Sequence, residues 1–206
     1  LGIAYDGDGD RCLAVDEKGN EIDGDKILAI ISSNLKKKGK LNKDTIVATV
    51  MSNLGLNKYA ENNNLHLLQT KVGDRYVLEK MLEEGYNLGG EQSGHVILLD
   101  YNPTGDGILT SLMLIQTLLE ENKKASELAS IIKLYPQVLI NAKVNSDKKY
   151  DYKDSLFHLQ SISETLLYPP LRAECLRVIL LCFLQLADNL ISIKNAAVLI
   201  LWTWTA

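Results

Sequence analysis

The chain has 206 residues, of which 46% are hydrophobic and 23% are charged, and this composition excludes wholesale disorder. Its formal net charge of -4 argues against a nucleic-acid partner, because such a partner requires a basic surface. The three cysteines (Cys12, Cys175 and Cys182) have no C-x-x-C spacing and no secretory leader precedes them, so a reducing, cytoplasmic setting is expected.

The first part of the chain alternates between extended and helical patterns. Residues 1–15 are predicted to form a strand, an acidic loop and a second strand. Apolar residues then recur at helical spacing from Asp25 to near Gly39. The next four elements are predicted as strand 45–50, helix 54–61, extended segment 65–72 and helix 75–84.

The second part begins with a glycine-bearing loop at 89–94 and a strand at 96–99. The elements predicted after it are a turn at 102–107, helices at 108–119 and 126–134, a strand at 138–144 and a polar connection at 145–154. Strands that alternate with helices of this length predict βαβ units. The expected fold class is therefore α/β, with a parallel or mixed sheet.

Asp6, Asp8 and Asp10 alternate with glycines and are followed directly by Arg11. Glycine tolerates backbone angles that other residues resist, so a tight loop can turn the three carboxylates toward one point. Three carboxylates at such short distances repel one another, unless one of them takes up a proton or a cation binds between them. A hard divalent ion such as Mg²⁺ is therefore predicted in this loop.

Two other interpretations of the acidic loop remain. A calcium-binding helix-loop-helix would also use these aspartates, with Glu17 at position twelve, but it requires glycine where Arg11 stands and a helix before the loop. A plain solvated turn is the other alternative, because Asp-Gly pairs are common in turns. The histidines (His66, His95 and His158) are too scattered for a zinc site, so no transition-metal centre is expected.

Three motifs in chain order carry a family resemblance. They are the sequences DGDGDR at 6–11, TKVGDR at 70–75 and GEQSGH at 90–95, and together they resemble the α-D-phosphohexomutases. The sequence NPTGDG at 102–107, the turn at 72–76 and Gln92 resemble the glucosamine branch of that family. The resemblance covers roughly residues 1–145.

The resemblance implies an enzyme that moves a phosphoryl group between O6 and O1 of a hexose, through a phosphoserine and a bisphosphorylated intermediate. The glucosamine branch implies interconversion of glucosamine 6-phosphate and glucosamine 1-phosphate, so a hexosamine phosphate is the expected partner. Neither nucleic acid nor a membrane is expected, and the oligomeric state stays open. A mannose or glucose mutase, and a non-catalytic module that binds sugar phosphates, remain alternatives.

The resemblance also implies roles for individual residues. Asp6, Asp8 and Asp10 would hold Mg²⁺ and Arg11 would add a fixed cation, although Arg11 could instead pair with one of these aspartates. Lys71 would meet the sugar or its phosphate, or belong to a surface ion cluster. The residues expected to bind the sugar are Glu91, Ser93 and His95. Alternatively, Glu91 is a structural residue of a turn, and His95 is a packed residue with one satisfied nitrogen.

The domain organisation expected from this resemblance is the end of a second mutase domain at 1–22, a third domain at 23–136 and the start of a fourth at 137–154. The family's phosphoserine loop and its last phosphate-binding loop are missing from the sequence. The chain is therefore expected to be an internal fragment without turnover of its own. Residues 155–206 lose the regular pattern of the earlier chain. Two interpretations remain open, a pair of buried helices or an out-of-frame end. Charged residues interrupt the segment, so a membrane span is not expected there.

Overall fold

A computed structural model describes residues 1–142 and the backbone of residues 197–202, with side chains described up to residue 137. The chain divides into two compact units, Leu1–Tyr135 and Pro136–Ala206. The first unit carries every predicted site residue. No helix among the described residues is long and apolar enough to span a bilayer.

The first unit begins with a small antiparallel sheet of three strands, in the order β1-β2-β3. The strands are β1 (Gly2–Tyr5), β2 (Cys12–Val15) and β3 (Glu21–Ile22). Tyr5 pairs with Cys12, so the acidic loop closes a hairpin directly after the last residue of β1. The predicted strand, loop and strand over residues 1–15 are confirmed.

A four-stranded mixed sheet follows, in the order β5-β4-β6-β7. Its strands are β4 (Thr45–Thr49), β5 (His66–Thr70), β6 (Leu88–Gly90) and β7 (Val96–Leu98). β4 is central, parallel to both β5 and β6, and all five of its residues are buried. Only β7 runs antiparallel, as the partner of β6. The mixed α/β fold predicted from the sequence is confirmed.

Five helices are described in the first unit: α1 (Gly24–Lys37), α2 (Leu54–Asn62), α3 (Asp74–Glu84), α4 (Gly107–Glu121) and α5 (Ala125–Ala129). Three of them begin at a side chain that accepts a backbone N–H of the first turn. These capping residues are Asp23, Asn53 and Asp106. Such caps satisfy backbone donors that have no partner inside the helix and so set where it starts.

The core has two parts, one on each face of the sheet. Ile46 and Ala48 of β4 pack with apolar residues of α1, α2, α4 and α5. Val47 faces the other way and packs with Val77 and Met81 of α3. Alternate residues of a strand point to opposite faces, so the fully apolar β4 is the sequence of a strand covered on both sides. The unit is therefore a three-layer arrangement of helix, sheet and helix.

The structure corrects the predicted loop at 89–94. Gly89 and Gly90 belong to β6 and pair with Ile97 and Val96, so the connecting loop holds residues 91–95. A side chain at Gly89 would lie 2.6 Å from the sulfur of Met81. Glycine here allows close packing of the sheet on α3 rather than marking a loop.

The helix predicted at 126–134 is also shorter than expected. α5 runs only from Ala125 to Ala129. The side chain of Asn53 accepts the N–H of Tyr135 at 3.0 Å and donates to its carbonyl at 2.9 Å. Pro136 adds to this, because a residue before proline avoids the helical region.

In the second unit, β8 (Gln137–Ala142) pairs antiparallel with β9 (Ala197–Trp202). The predicted strand at 138–144 is confirmed up to Ala142. The predictions for residues 143–154, and those for the segment 155–206 apart from the backbone of β9, lie outside the described residues.

Candidate functional site

The acidic loop brings its three carboxylates together. One oxygen from each of Asp6, Asp8 and Asp10 lies within 4.8 Å of the other two. Gly9 has a φ of +75° and therefore suits glycine, whereas Gly7 has no positive φ and open space around it. The glycine argument made from the sequence thus applies to Gly9 alone.

Repulsion inside the loop is visible in the pKa of its carboxyl groups. Desolvation, together with the charges of Asp8 and Asp6, raises the pKa of Asp10. The pKa of Asp6 is lowered, because hydrogen bonds from the Arg11 N–H and from Asp10 outweigh its desolvation. A cation bound in the loop would offset the neighbouring charges that raise the pKa of Asp10.

The donor set fits a hard divalent cation. Its atoms are all carboxylate oxygens, which Mg²⁺ prefers, and the cluster lacks the nitrogen and sulfur ligands typical of zinc sites. Asp10 Oδ1 is buried without a hydrogen-bond partner among the described residues. An oxygen of this kind is left for a ligand, so the loop fits the predicted ion.

Arg11 lies beside the loop in the arrangement that the sequence left as its alternative. Its Nε is 3.7 Å from Oδ2 of Asp6, and half of its side chain is exposed. Its backbone N–H also donates to Oδ1 of Asp6 at 3.2 Å. The guanidinium is therefore close to the carboxylates, while its part in catalysis stays a prediction.

His95 is buried between the acidic loop and the start of α3. Its Nε2 lies 3.6 Å from Oδ2 of Asp10 and 4.0 Å from Oδ2 of Asp74, and its residue is 3% exposed. A side chain at Gly105 would come within 2.2 Å of Nε2, so glycine there makes room for the ring. The ring is packed and faces the predicted metal loop, and the sugar-binding role of His95 stays a prediction.

A cleft of about 570 Å³ opens beside the loop that connects β6 to β7. Its lining residues are Leu13, Glu21, Asp23, Thr49, Met51, Val72, Glu91, Gln92 and Ser93. Thr49 is the last residue of β4, so the cleft lies at the carboxyl end of parallel strands, where ligands of α/β proteins commonly bind. Glu91 and Ser93 were predicted as site residues, and the structure places both here.

Sequence reasoning missed four of the residues around this cleft: Glu21, Asp23, Thr49 and Met51. Thr49 and Met51 carried a usable signal, because they lie at the end of a predicted strand and just after it. Glu21 and Asp23 gave none, since they belong to a short strand and a helix cap outside the three motifs. Packing of α1 against the 91–94 loop brings them to the cleft, through the N–H of Gly24 and the carbonyl of Gln92, 2.9 Å apart.

Glu91 connects two of the predicted motifs. Its Oε1 accepts the N–H of Gly73 at 3.1 Å, and its own N–H donates to the carbonyl of His95 at 2.9 Å. Gly73 has a φ of +127°, which suits glycine, and it precedes the first residue of α3. Glu91 therefore holds the 71–75 segment beside the cleft while its other carboxylate oxygen remains for a ligand.

Lys71 is exposed, and it is not among the residues that line the cleft. Its Nζ lies 5.8 Å from the centre of the Tyr76 ring, within the range of a cation–π contact. The neighbouring Arg75 pairs with Glu79 at 2.7 Å on the surface of α3. The structure therefore brings Lys71 near the cleft through its neighbour Val72, but not into it.

Residues 11–13 join the acidic loop to the cleft. Arg11 forms a β-bridge with His95, and the N–H of Cys12 donates to the carbonyl of Gly94 at 3.0 Å. Leu13 then lines the cleft. Burial raises the pKa of the Cys12 thiol to about 11, so this cysteine is a packing residue rather than a nucleophile.

The family model of phosphoglucomutase/phosphomannomutase, alpha/beta/alpha domain III, matches residues 23–135, which is more than half of the chain. The chain belongs to this family. The three-layer fold of the first unit agrees with that description.

Curated relatives carry the same resemblance at high identity. The phosphoglucosamine mutase of Ruminiclostridium cellulolyticum is 61% identical over 154 residues, which are 75% of this chain and 34% of the relative. That of Caldicellulosiruptor saccharolyticus is 58% identical over 164 residues, covering 80% of this chain and 36% of the relative. The chain thus spans about a third of the length of these relatives.

Solved structures of the superfamily have a similar fold. A phosphoglucomutase/phosphomannomutase family protein from Burkholderia thailandensis is 26% identical, with a TM-score of 0.58 over 71% of this chain and 31% of its own. The N-acetylphosphoglucosamine mutase of Aspergillus fumigatus, solved with GlcNAc-6P and magnesium, has a TM-score of 0.58 and 20% identity. It covers 80% of this chain and 43% of its own, and at this identity the likeness concerns the fold alone.

Proposed function

We propose that the chain is the metal-binding and sugar-binding part of a phosphoglucosamine mutase, which interconverts glucosamine 6-phosphate and glucosamine 1-phosphate through a phosphoserine and a bisphosphorylated sugar. The observation that carries the proposal is the junction at residues 11–13, which joins a loop of three converging carboxylates to a cleft lined by Glu91 and Ser93. Its relatives of 58–61% identity bear the same name.

Asp6, Asp8 and Asp10 would hold Mg²⁺, and Arg11 would supply a further positive charge beside them. When bound there, the ion would draw negative charge from the phosphoryl group during transfer. A bound cation would lower the pKa of Asp10 and so stabilise its ionised, ligating form. His95, packed against Asp10, would keep that carboxylate oriented toward the ion.

The cleft would bind the sugar. Glu91 would accept hydrogen bonds from two hydroxyl groups, and Ser93 would donate to or accept from a neighbouring one. Contacts to the middle hydroxyls persist when the sugar turns end for end, as a bisphosphorylated intermediate requires. Lys71, held near Tyr76 at the edge of the cleft, would meet the sugar or its distal phosphate.

The charge of the cleft supports an amino sugar over a neutral hexose. Three of its lining residues are acidic, namely Glu21, Asp23 and Glu91, and none of the lining residues is basic. An ammonium group is attracted by such a surface, whereas a hydroxyl group gains little from it. We therefore favour glucosamine phosphates over mannose or glucose phosphates as the substrate. A cytoplasmic setting, expected from the cysteines, belongs to the same proposal.

A chimeric enzyme tests this function. Residues 1–135 of this chain would replace the corresponding segment of the R. cellulolyticum phosphoglucosamine mutase, which supplies the remaining domains. We expect turnover of glucosamine 6-phosphate in a coupled assay, and loss of that turnover with a chelator. A folded chimera without turnover would contradict the proposal. For the 206-residue chain alone we expect no turnover, because its sequence has no phosphoserine loop.

A further inference from the structure

Asp25 is an ionisable residue that is completely buried in the first turn of α1. It has no exposed surface, and its Oδ2 accepts the N–H of Asn53 at 2.6 Å. Its Oδ1 is buried without a hydrogen-bond partner among the described residues. Burying a carboxylate is costly unless all of its hydrogen bonds are made. A buried acid at this place is therefore poorly explained by stability alone.

The first turn of α1 supports both walls of the cleft. On one side, Gly24 donates its N–H to the carbonyl of Gln92, and a side chain at Gly24 would lie 2.0 Å from the carbonyl oxygen of Glu91. On the other side, Asp25 holds Asn53, the last residue of the turn that follows β4. The 91–95 loop and the 50–53 turn, which both line the cleft, are thus hydrogen-bonded to two consecutive residues, Gly24 and Asp25.

The turn at 50–53 carries Met51 into the cleft lining, next to Thr49. Its start is fixed by the N–H of Val50, which donates to Thr70 at 3.0 Å. Its end is fixed by Asn53, whose side chain caps α2 and binds Tyr135. The bond from the Asn53 N–H to Asp25 attaches that end to α1, and so sets the distance between the two walls.

We propose that Asp25 is a positioning residue that fixes the wall formed by Thr49 and Met51, so that a sugar held by Glu91 and Ser93 meets a cleft of the right width. This inference rests on the proposed function of the cleft. The carboxylate touches no reacting group and acts through the 50–53 turn.

The ionisation of Asp25 agrees with this role. Burial raises its pKa to about 6, the hydrogen bond from the Asn53 N–H lowers it, and the charge of Asp23 raises it again. The carboxyl group is therefore ionised at neutral and higher pH, where it binds the Asn53 N–H with a charge-assisted hydrogen bond.

The test compares variants of the chimera by steady-state kinetics with glucosamine 6-phosphate. Asp25→Leu removes the acceptor, and we expect KM to rise about tenfold, the effect of one hydrogen bond to a charged group, with kcat changed less than about threefold. Asp25→Asn keeps an acceptor oxygen and should raise KM by less than about threefold. Mg²⁺ affinity should not change, because Asp25 is not one of the three carboxylates that would hold the ion.

Ser32→Ala is the matched control. Ser32 is fully buried on the same helix and donates to Ala29 at 2.8 Å, away from the cleft. Its loss should lower stability and leave KM unchanged. Calorimetric titration with glucosamine 6-phosphate is run on the same proteins, so that the ratio of Kd values tests Asp25 even in a chimera without turnover.

Two results would overturn the inference. One is an unchanged KM and Kd in Asp25→Leu. The other is an equal rise in Ser32→Ala, which would indicate a general loss of stability. If Asp25→Leu does not fold, Asp25→Ala replaces it with the same expected rise in KM, because it also removes the acceptor of the Asn53 N–H. An unchanged KM in that variant also overturns the inference. Absent turnover in the unsubstituted chimera counts against the proposed function instead.

Discussion

The Nε2 atom of His95 lies 3.6 Å from Oδ2 of Asp10. This contact joins the end of the 90–95 motif to the acidic loop, although the two are far apart in sequence. The β-bridge between Arg11 and His95 fixes the same junction through the backbone. The predicted metal site and the predicted sugar site are therefore joined at His95. A substitution of His95 should alter the binding of both ligands.

His95→Gln should weaken Mg²⁺ binding by about tenfold, because residues that orient a ligand carboxylate commonly contribute that much to metal affinity. Calorimetric titration of the 206-residue chain with Mg²⁺ measures the effect without any need for turnover. His66→Gln is the control, since His66 is exposed on β5. Equal affinities in the two variants would show that the contact with Asp10 has no part in metal binding.

Asp8→Asn should lower Mg²⁺ affinity by at least about tenfold and lower the turnover of the chimera with it, because the loop loses one of its three charges. The rate is measured over a range of Mg²⁺ concentrations. Asp44→Asn changes a half-buried acid outside the site, paired with Lys36 at 3.4 Å, and should alter neither quantity. A rate within a few fold of the unsubstituted chimera at saturating Mg²⁺ would mean that the loop is not the catalytic metal site.

Glu21→Gln should reduce the preference of the chimera for glucosamine 6-phosphate over glucose 6-phosphate by about three- to tenfold, since it removes one of the charges that would attract the ammonium group. The preference is the ratio of the two kcat/KM values. Glu83→Gln, on the exposed side of α3, is the matched control. A preference that stays the same in Glu21→Gln would remove the electrostatic support for an amino sugar.

Asp25→Asn should change the pH dependence of stability. The pKa of Asp25 is raised from 3.8 to about 6 in the folded chain, so the folded state holds this proton more tightly than the unfolded state does. Its favourable contribution is complete below the unfolded value and is lost as the pH rises through about 6. The loss is on the order of 3 kcal/mol.

The measurement is the free energy of unfolding in urea at pH values between about 4 and 8. The difference between the unsubstituted chain and Asp25→Asn isolates the contribution of this group, and it should move in favour of the variant as the pH rises. Asp44→Asn again serves as the control. A difference that does not vary with pH would show that Asp25 ionises in the folded chain as it does in the unfolded one.

Much of the fold follows from local patterns in the sequence. The β-branched, apolar run at 45–50 predicts a buried strand, and β4 is central and covered on both faces. The helical spacing after Asp25 predicts α1, and α4 begins after Asp106, which accepts the N–H of Leu109 at 2.9 Å. These signals are reliable because period and capping depend on neighbouring residues.

The elements that were mispredicted depend on distant partners. Gly89 and Gly90 resemble a loop in sequence, but β4 and β7 pair with them on either side. The residues after Ala129 have a helical pattern, but the side chain of Asn53 holds Tyr135 in another conformation. Tertiary hydrogen bonds outweigh local propensity in both places.

The sequence by itself determined the composition of the site: three carboxylates in one short loop, and a glutamate and a serine between glycines in another. Residue types and spacing are enough for that, because chelation needs oxygens within reach of one loop. The tertiary structure decided what these loops meet, including the contact of His95 with Asp10, the presence of Glu21 and Asp23 at the cleft, and the burial of Asp25. The first of these contacts arises from the β-bridge between Arg11 and His95, and the others from the packing of α1 against two loops distant in sequence. No local period encodes either.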